Sequence, residues 1–286
     1  MAGEHAFKTE VLADGFEFLE GPRWRDGRLW VSDSFGGQVF TIGPDGGVET
    51  VVEVPGKPSG LGFLPNGTPL IVSMKDRRLL RLEGGALVCH ADLATLVTGD
   101  TNDMVVDGQG RAYVGNFGFD LFGGADFQNA NIVMVSPTGE AQVVAEEVAF
   151  PNGTVILPGG ELMVVAETFG HRLTAFDVAS DGTLSNRREF ADLGEYGPDG
   201  ICLDQEGAIW VSAFNHGEFL RVLEGGTITH RIDRTDRHAV ACQLGGSDGR
   251  TLFCLTCEGT WEEICAGQAH AQVEVTTVDI PGAGSP

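Results

Sequence analysis

Residues 150–167 read FPNGTVILPGGELMVVAE, and residues 197–213 read GPDGICLDQEGAIWVSA. Both run proline, a small polar residue, glycine, a short apolar run, a Gly-containing turn and a second apolar run. Asn152 in the first stands where Asp199 stands in the second, 47 residues later. Self-similarity at a period of about 40–50 residues is the mark of propeller blades. Aligning the chain on itself at the apolar residue before the turn gives six matches: Trp24, Phe63, Val106, Ile156, Leu203 and Leu244. After each turn comes an apolar run (RLWVSD, PLIVSM, RAYVGN, ELMVVAE, AIWVSA, TLFCLT), and after that a third (QVFTI, RLLRL, NIVMVS, RLTAF, EFLRV, QVEVTTVDI). Short runs rich in β-branched and aromatic residues between turn signals read as strands. The reading is therefore an all-β, six-bladed β-propeller, one domain over residues 1–286. A β-sandwich is the alternative, but it leaves the self-similarity unexplained. The N-terminal KTEVLAD is expected to pair with the last blade and remove a free sheet edge.

Composition agrees with such a fold and excludes others. Hydrophobic residues make up 42% of the chain, enough for a packed core, and the 42 glycines fit many tight turns. No stretch of about 18 apolar residues is present, so no membrane-spanning helix is expected. The net charge of −23 repels nucleic acid and anionic membrane surfaces, whose binding depends on neutralising phosphate. The expected partner is a small-molecule substrate; no nucleic acid or membrane partner is expected. The start MAGEHAFKTE shows no apolar signal region, so a cytoplasmic location with free thiols is expected for the six cysteines. Cys254 and Cys257 form a CxxC within an apparent strand. There, positions three apart face opposite ways and chelate poorly, so both read as buried structural thiols.

Counting back four residues from each aligned apolar position gives Glu20, Ser59, Asn102, Asn152, Asp199 and Val240. In a propeller the first strand of each blade lines the central channel, so one repeated position on it makes a ring about the axis. Five of these six side chains carry oxygen, and two are carboxylates. Small polar residues also occur at strand starts simply because they bond the local backbone. Two carboxylates forced together are costly without a cation, however. The ring therefore points to a metal site in the central channel. Its oxygens suit a hard divalent ion, calcium first, with Mg²⁺, Mn²⁺ or Zn²⁺ open. No His or Cys stands on the ring, unlike a structural zinc site.

The loops after each second strand return to the ring end of the channel, so substrate contacts are expected there. The longest, GNFGFDLFGGADF (115–127), carries Phe117, Phe119 and Phe122, candidates for an apolar lining. Glu167 and His171 of ETFGH and His216 of FNHGE are further candidates.

The set EGPRW, NDMVVDGQGRAYVGN, FPNG with AETFGHRLTAFD, PDGICLDQEGAIWVS and LGGSDGRTLFCLT resembles the senescence marker protein/gluconolactonase/luciferin-regenerating enzyme-like family, over nearly the whole chain. That resemblance implies a six-bladed propeller with one catalytic divalent cation. It also implies hydrolysis of lactones, often of sugar acids, with organophosphate hydrolysis in related propellers. The family's metal ligands fall on Glu20, Asn152 and Asp199. Asn102 matches a residue that meets metal in some members and substrate in others, and Asp199 matches the usual general base. One position departs: sugar-lactonase members often have Arg two residues before the NDM-like Asn, and here it is Asp100, a candidate substrate contact. With the phenylalanine-rich loop, Asp100 points to a lactone or cyclic ester less polar than a sugar lactone. Phosphotriester hydrolysis, non-hydrolytic ring opening and a binding propeller that merely holds calcium remain alternatives.

Overall fold

The computed structural model describes residues 7–284. They form six four-stranded antiparallel sheets. Five blades are built from consecutive strands, over residues 19–53, 58–92, 101–148, 151–192 and 198–233. The sixth takes three strands from residues 238–277 and its outer strand from Glu10–Phe16, which pairs antiparallel with His270–Thr277. The expected pairing with the last blade is therefore made, with Glu10–Phe16 as its outer strand. Each blade has four strands, so the three apolar runs read from the sequence are joined by a more polar outer strand. Val48–Glu53 and Leu184–Asp192 show why that strand is hard to read: most of their residues face solvent.

The core is not one mass but one apolar cluster per blade interface. Leu61 and Ile71 pack with Val39 and Val54 between blades one and two. Met104, Val114 and Val133 pack with Leu70 and Val72 between two and three. Comparable clusters fill the other four interfaces. Sheets buried on both faces explain the near-continuous apolar runs in the inner strands. In two blades the turn between first and second strands is fixed by a carboxylate that takes two amides of the turn. Asp107 Oδ1 accepts the amides of Gln109 and Arg111, and Asp204 Oδ1 those of Glu206 and Ala208. Their second oxygens take Arg111 Nε and Arg221 Nε at 2.6 Å each. These turns lie at the end of the channel away from the ring. Among the described residues no helix is long and apolar enough to cross a membrane.

The CxxC divides as strand geometry requires. Cys254 packs with Cys202, Cys242 and Trp210, whereas Cys257 packs with Phe18, Val240 and Ile264. Burial raises the pKa of both thiols, Cys257 to about 12, so neither is a ready thiolate.

Candidate functional site

The innermost strands Leu19–Arg25, Pro58–Phe63, Thr101–Val106, Pro151–Ile156, Pro198–Leu203 and His238–Gly245 each carry one ring residue near their start. Three open on proline, which suits a first strand position where no ladder donor is needed. In every blade the register to the second strand slips at or just beyond the ring residue, as between Pro151 and Thr154 or Pro198 and Ile201. Such a bulge frees a residue from pairing and re-aims its side chain. The residue after the ring position is glycine in four blades, and each of these glycines abuts the next blade's inner strand. A Cβ on Gly60 would stand 2.5 Å from the Met104 nitrogen, and one on Gly153 2.5 Å from the Ile201 nitrogen. Gly21 meets Ser59 and Gly200 meets Ala241 in the same way. Blade three has Asp103 instead, whose carboxylate pairs with Arg23 at 3.3 Å.

All six ring residues are buried. Ser59 Oγ donates to Asn102 Oδ1 at 3.3 Å, and Asn152 Nδ2 donates to Thr168 Oγ1 at 3.2 Å. Thr168 Oγ1 in turn donates to the Pro198 carbonyl at 2.7 Å. What remains is a set of buried atoms with no partner: Asn102 Nδ2, Asn152 Oδ1 and Asp199 Oδ1. Burial first, then the charges of Asp199 and Asp103, holds the Glu20 carboxyl well above the usual range; burial and Asp103 do the same to Asp199. Of these carboxylates only Asp103 has a cationic partner, the half-buried Arg23. Unpartnered buried polar atoms are rare in folded proteins, and three in one ring call for an explanation. Among the described residues no three of His, Cys, Asp and Glu group as a metal site, since carboxamides supply the rest of this ring.

Above the ring lies a cavity of about 450 Å³. Glu20, Asn102, Asn152 and Asp199 form its floor. Phe117, Phe122 and His171 stand on its wall, as do Phe18, Phe35, Phe150, Thr168, Phe169, Phe214, Asn215 and Trp261, which the sequence reading did not single out. Phe122 reaches from blade three to Phe35 of blade one and Trp261 of blade six, at ring-centroid distances of 5.8 and 6.4 Å. The long loop thus crosses the mouth. Phe150 and His171 both hold left-handed backbone, at φ 63° and 51°. Such strain in non-glycine residues persists only where the surroundings impose it, and functional sites are a common place. His171 Nδ1 lies 3.1 Å from the Tyr196 carbonyl, which leaves Nε2 to the cavity side.

Four other expected contacts lie outside the lining. Asp100 pairs with Lys75 at 2.6 Å. Phe119 is buried against Phe150 and Phe169. Glu167 is fully buried and gathers Arg172, Arg187, Thr174 and the Ala149 amide. Burial raises its pKa, but these donors outweigh burial and leave it lowered. His216 packs on the Tyr196 ring, 4.6 Å between centroids. Two of the missed residues were within reach of the self-alignment. Phe18 and Phe150 each precede the ring residue by two, as Gly197 does, and all three line the cavity.

The SMP-30/Gluconolactonase/LRE-like region family model matches residues 18–258. The chain belongs to this family. The match runs from the residue before the first inner strand to the end of the last blade's second strand, so it takes in the whole ring. Pentonolactonase XacC of Haloferax volcanii is 26% identical over 260 residues, 88% of this chain and 85% of that protein. Regucalcin of Danio rerio is 28% identical over 156 residues, and the chain spans about half the length of that relative. A solved structure described as the calcium-binding protein regucalcin from Agrobacterium tumefaciens superposes with a TM-score of 0.83 at 20% identity, covering 100% of this chain and 99% of that one. At that identity the likeness shows the family's propeller fold.

Proposed function

We propose that the protein is a divalent-metal-dependent hydrolase that opens a lactone or cyclic ester less polar than a sugar lactone. The observation that carries the reading is the pair of unpartnered buried oxygens, Asn152 Oδ1 and Asp199 Oδ1, beside the buried Glu20 carboxyl and beneath a largely aromatic cavity. The residues fit a hard cation. Asn152 Oδ1 and Asp199 Oδ1 lack donors, the Glu20 carboxylate is buried beside Asp199, and three carboxylates against one arginine leave about two negative charges to balance. Glu20, Asn152 and Asp199 would hold the ion, calcium by preference of its oxygen set. The family membership and the pentonolactonase relative support lactone chemistry.

A bound divalent ion supplies Lewis-acid polarisation of the ester carbonyl and lowers the pKa of a water. The chain's own groups do the rest. Ser59 occupies Asn102 Oδ1, so Asn102 presents its Nδ2 donors to the channel, placed to hold the substrate's carbonyl oxygen as it gains charge. Asp199 keeps one oxygen free to accept the proton of the attacking water and return it to the departing alkoxide. The hydroxy acid then ionises, and its carboxylate is repelled by the acidic protein.

The test strips the protein with a chelator, restores Ca²⁺, Mg²⁺, Mn²⁺ or Zn²⁺ singly, and assays lactones, esters and phosphotriesters. Lactone hydrolysis that vanishes on chelation and returns with one ion is expected. Turnover of phosphotriesters alone, or binding of calcium with no turnover at all, refutes the proposal. Substrate polarity is read from kcat/KM for gluconolactone against an alkyl-substituted lactone, in wild type and Phe117→Ala. A preference for gluconolactone that Phe117→Ala does not alter returns the protein to sugar lactones.

A further inference from the structure

The polar and apolar parts of the cavity are sorted by height. Every unpartnered polar side-chain atom on the ring is on the floor. Most polar atoms on the wall are committed elsewhere, with His171 Nε2 left to the cavity side. Thr168 holds the Pro198 carbonyl, Asn215 holds the Gly197 amide and the Glu195 carbonyl, and His171 Nδ1 meets the Tyr196 carbonyl. They pin the segment that leads into Asp199. The rest of the wall is aromatic apart from Leu121 and Gly197. A ligand that suits this cavity carries one polar functional group, held at the floor, and apolar bulk above it. A polyhydroxylated ring would lose hydration of several hydroxyls against aromatic faces, with His171 Nε2 too little to replace it.

We infer that the upper cavity is an aryl subsite, with Trp261 and Phe122 as its specificity-determining pair, and that the substrate is a lactone bearing a flat aromatic substituent. The identity of the reacting group rests on the lactonase reading; the aryl recognition does not. The two rings come from opposite blades and hold their planes within 8° of each other, with centroids 6.4 Å apart. Parallel faces at a mouth can be extended by stacking a planar ring, and an alkyl group cannot continue them. The rings are set in place before any ligand arrives. Phe122 lies edge-on to Phe35 at 87° and is tilted 68° to Phe117. Lys75 Nζ stands 4.4 Å over Phe122, and Lys57 Nζ 4.2 Å over Phe35. Preset rings cost a ligand little ordering entropy. They also reward an aromatic partner beyond area alone, by about two- to tenfold in affinity for one well-placed pair. Trp261 is 47% exposed, so apolar surface remains for a ligand to cover. About 450 Å³ is at the small end of ligand pockets, suited to one lactone ring with one aryl group rather than a long chain.

The experiment compares γ-phenyl-γ-butyrolactone with its γ-cyclohexyl counterpart and with unsubstituted γ-butyrolactone, in wild type, Trp261→Ala, Trp261→Phe and Phe122→Ala. Wild type is expected to prefer phenyl over cyclohexyl in kcat/KM, by about tenfold where two rings contribute. Trp261→Ala and Phe122→Ala should each erode the phenyl-over-cyclohexyl ratio, mainly through KM, and Trp261→Phe should keep most of it. A second arm measures calorimetric binding of 2-phenyltetrahydrofuran, which has no ester to open. Binding that weakens in Trp261→Ala supports the aryl subsite even if no lactone is turned over, a result that would sink the lactonase reading alone. Equal or better use of the cyclohexyl lactone overturns the inference. So does a phenyl preference that neither alanine variant changes, or failure of 2-phenyltetrahydrofuran to bind an enzyme that hydrolyses lactones.

Discussion

Asp199→Asn should change the protein's thermal stability in opposite directions with and without metal. With metal at about 100 times its dissociation constant, binding adds roughly 2.7 kcal/mol to the folded state. Unfolding entropy near 2.1 cal/mol/K per residue puts the 286-residue chain at about 0.6 kcal/mol/K, so that increment is worth about 4–5 °C in Tm. The variant should lose most of it. After chelation the sign reverses. Glu20 and Asp199 are then buried close together near Asp103, with pKa values raised in the fold, and removing one charge relieves the others. The pH dependence follows from the same shifts. A carboxyl whose folded pKa is raised binds protons in the folded state that the unfolded chain has lost. Metal-free wild type should therefore gain stability as pH falls from neutral toward the ordinary carboxylate range of about 4, and lose it as pH rises through the raised folded values. The metal-loaded protein, whose ring carboxylates are held ionised, should lose stability on acidification. Differential scanning calorimetry from about pH 5 to 8, with chelator and with each ion, reads all of this. A metal-free Asp199→Asn less stable than metal-free wild type, together with no metal-induced shift in wild type, would refute the account of the ring.

Four further outcomes are expected. Gly153→Ala places a Cβ 2.5 Å from the Ile201 nitrogen and 2.7 Å from the Asp199 carbonyl oxygen, so it should cost about 1–3 kcal/mol and lower metal affinity. Gly108→Ala, with open space around the new methyl, should stay within about 0.5 kcal/mol in denaturant titration. Glu167→Gln breaks a buried carboxylate's pairing with Arg172 and Arg187 and should cost roughly 3 kcal/mol, the low end for a buried pair because both arginines are partly exposed. Its kcat/KM per folded molecule should hold, and a large rise in KM would instead place Glu167 against substrate. Cys257→Ser should leave bound metal unchanged by elemental analysis; loss of one equivalent would show that the buried thiol is a ligand.

The architecture was legible because the repeats are. A strand-turn-strand copied six times shows its period even when the copies differ, and the period alone places Glu20, Asn102, Asn152 and Asp199 at one level. The bulge that re-aims them was not legible, because it is a slip of pairing and leaves no residue type of its own. Loop side chains were the hardest. Register says that residue 167 lies at the ring end of its blade, but not which way its carboxylate turns. Arg172 and Arg187 on the same blade draw it inward. Lys75 likewise draws Asp100 aside. Trp261 fell within the expected contact loop 257–261 but was not singled out; it opens a one-turn helix capped by Thr260 and Glu263, which a reading in strands and turns does not foresee.

The glycines that follow four of the ring residues give the channel the mechanics of a hoop. Backbone rests on backbone there, so the bore is set by main-chain contact and not by the side chains that point into it. Exchanging Glu20, Asn152 or Asp199 for one another's types alters the charge of the opening while its circumference stays the same. Lengthening a spacer does the reverse, changing the diameter with the donors intact. The width of the bore and the charge it presents are thus set by separate, adjacent positions in the chain. Blades three and six, where Asp103 and Ala241 stand in place of glycine, are the two joints that lack this glycine contact.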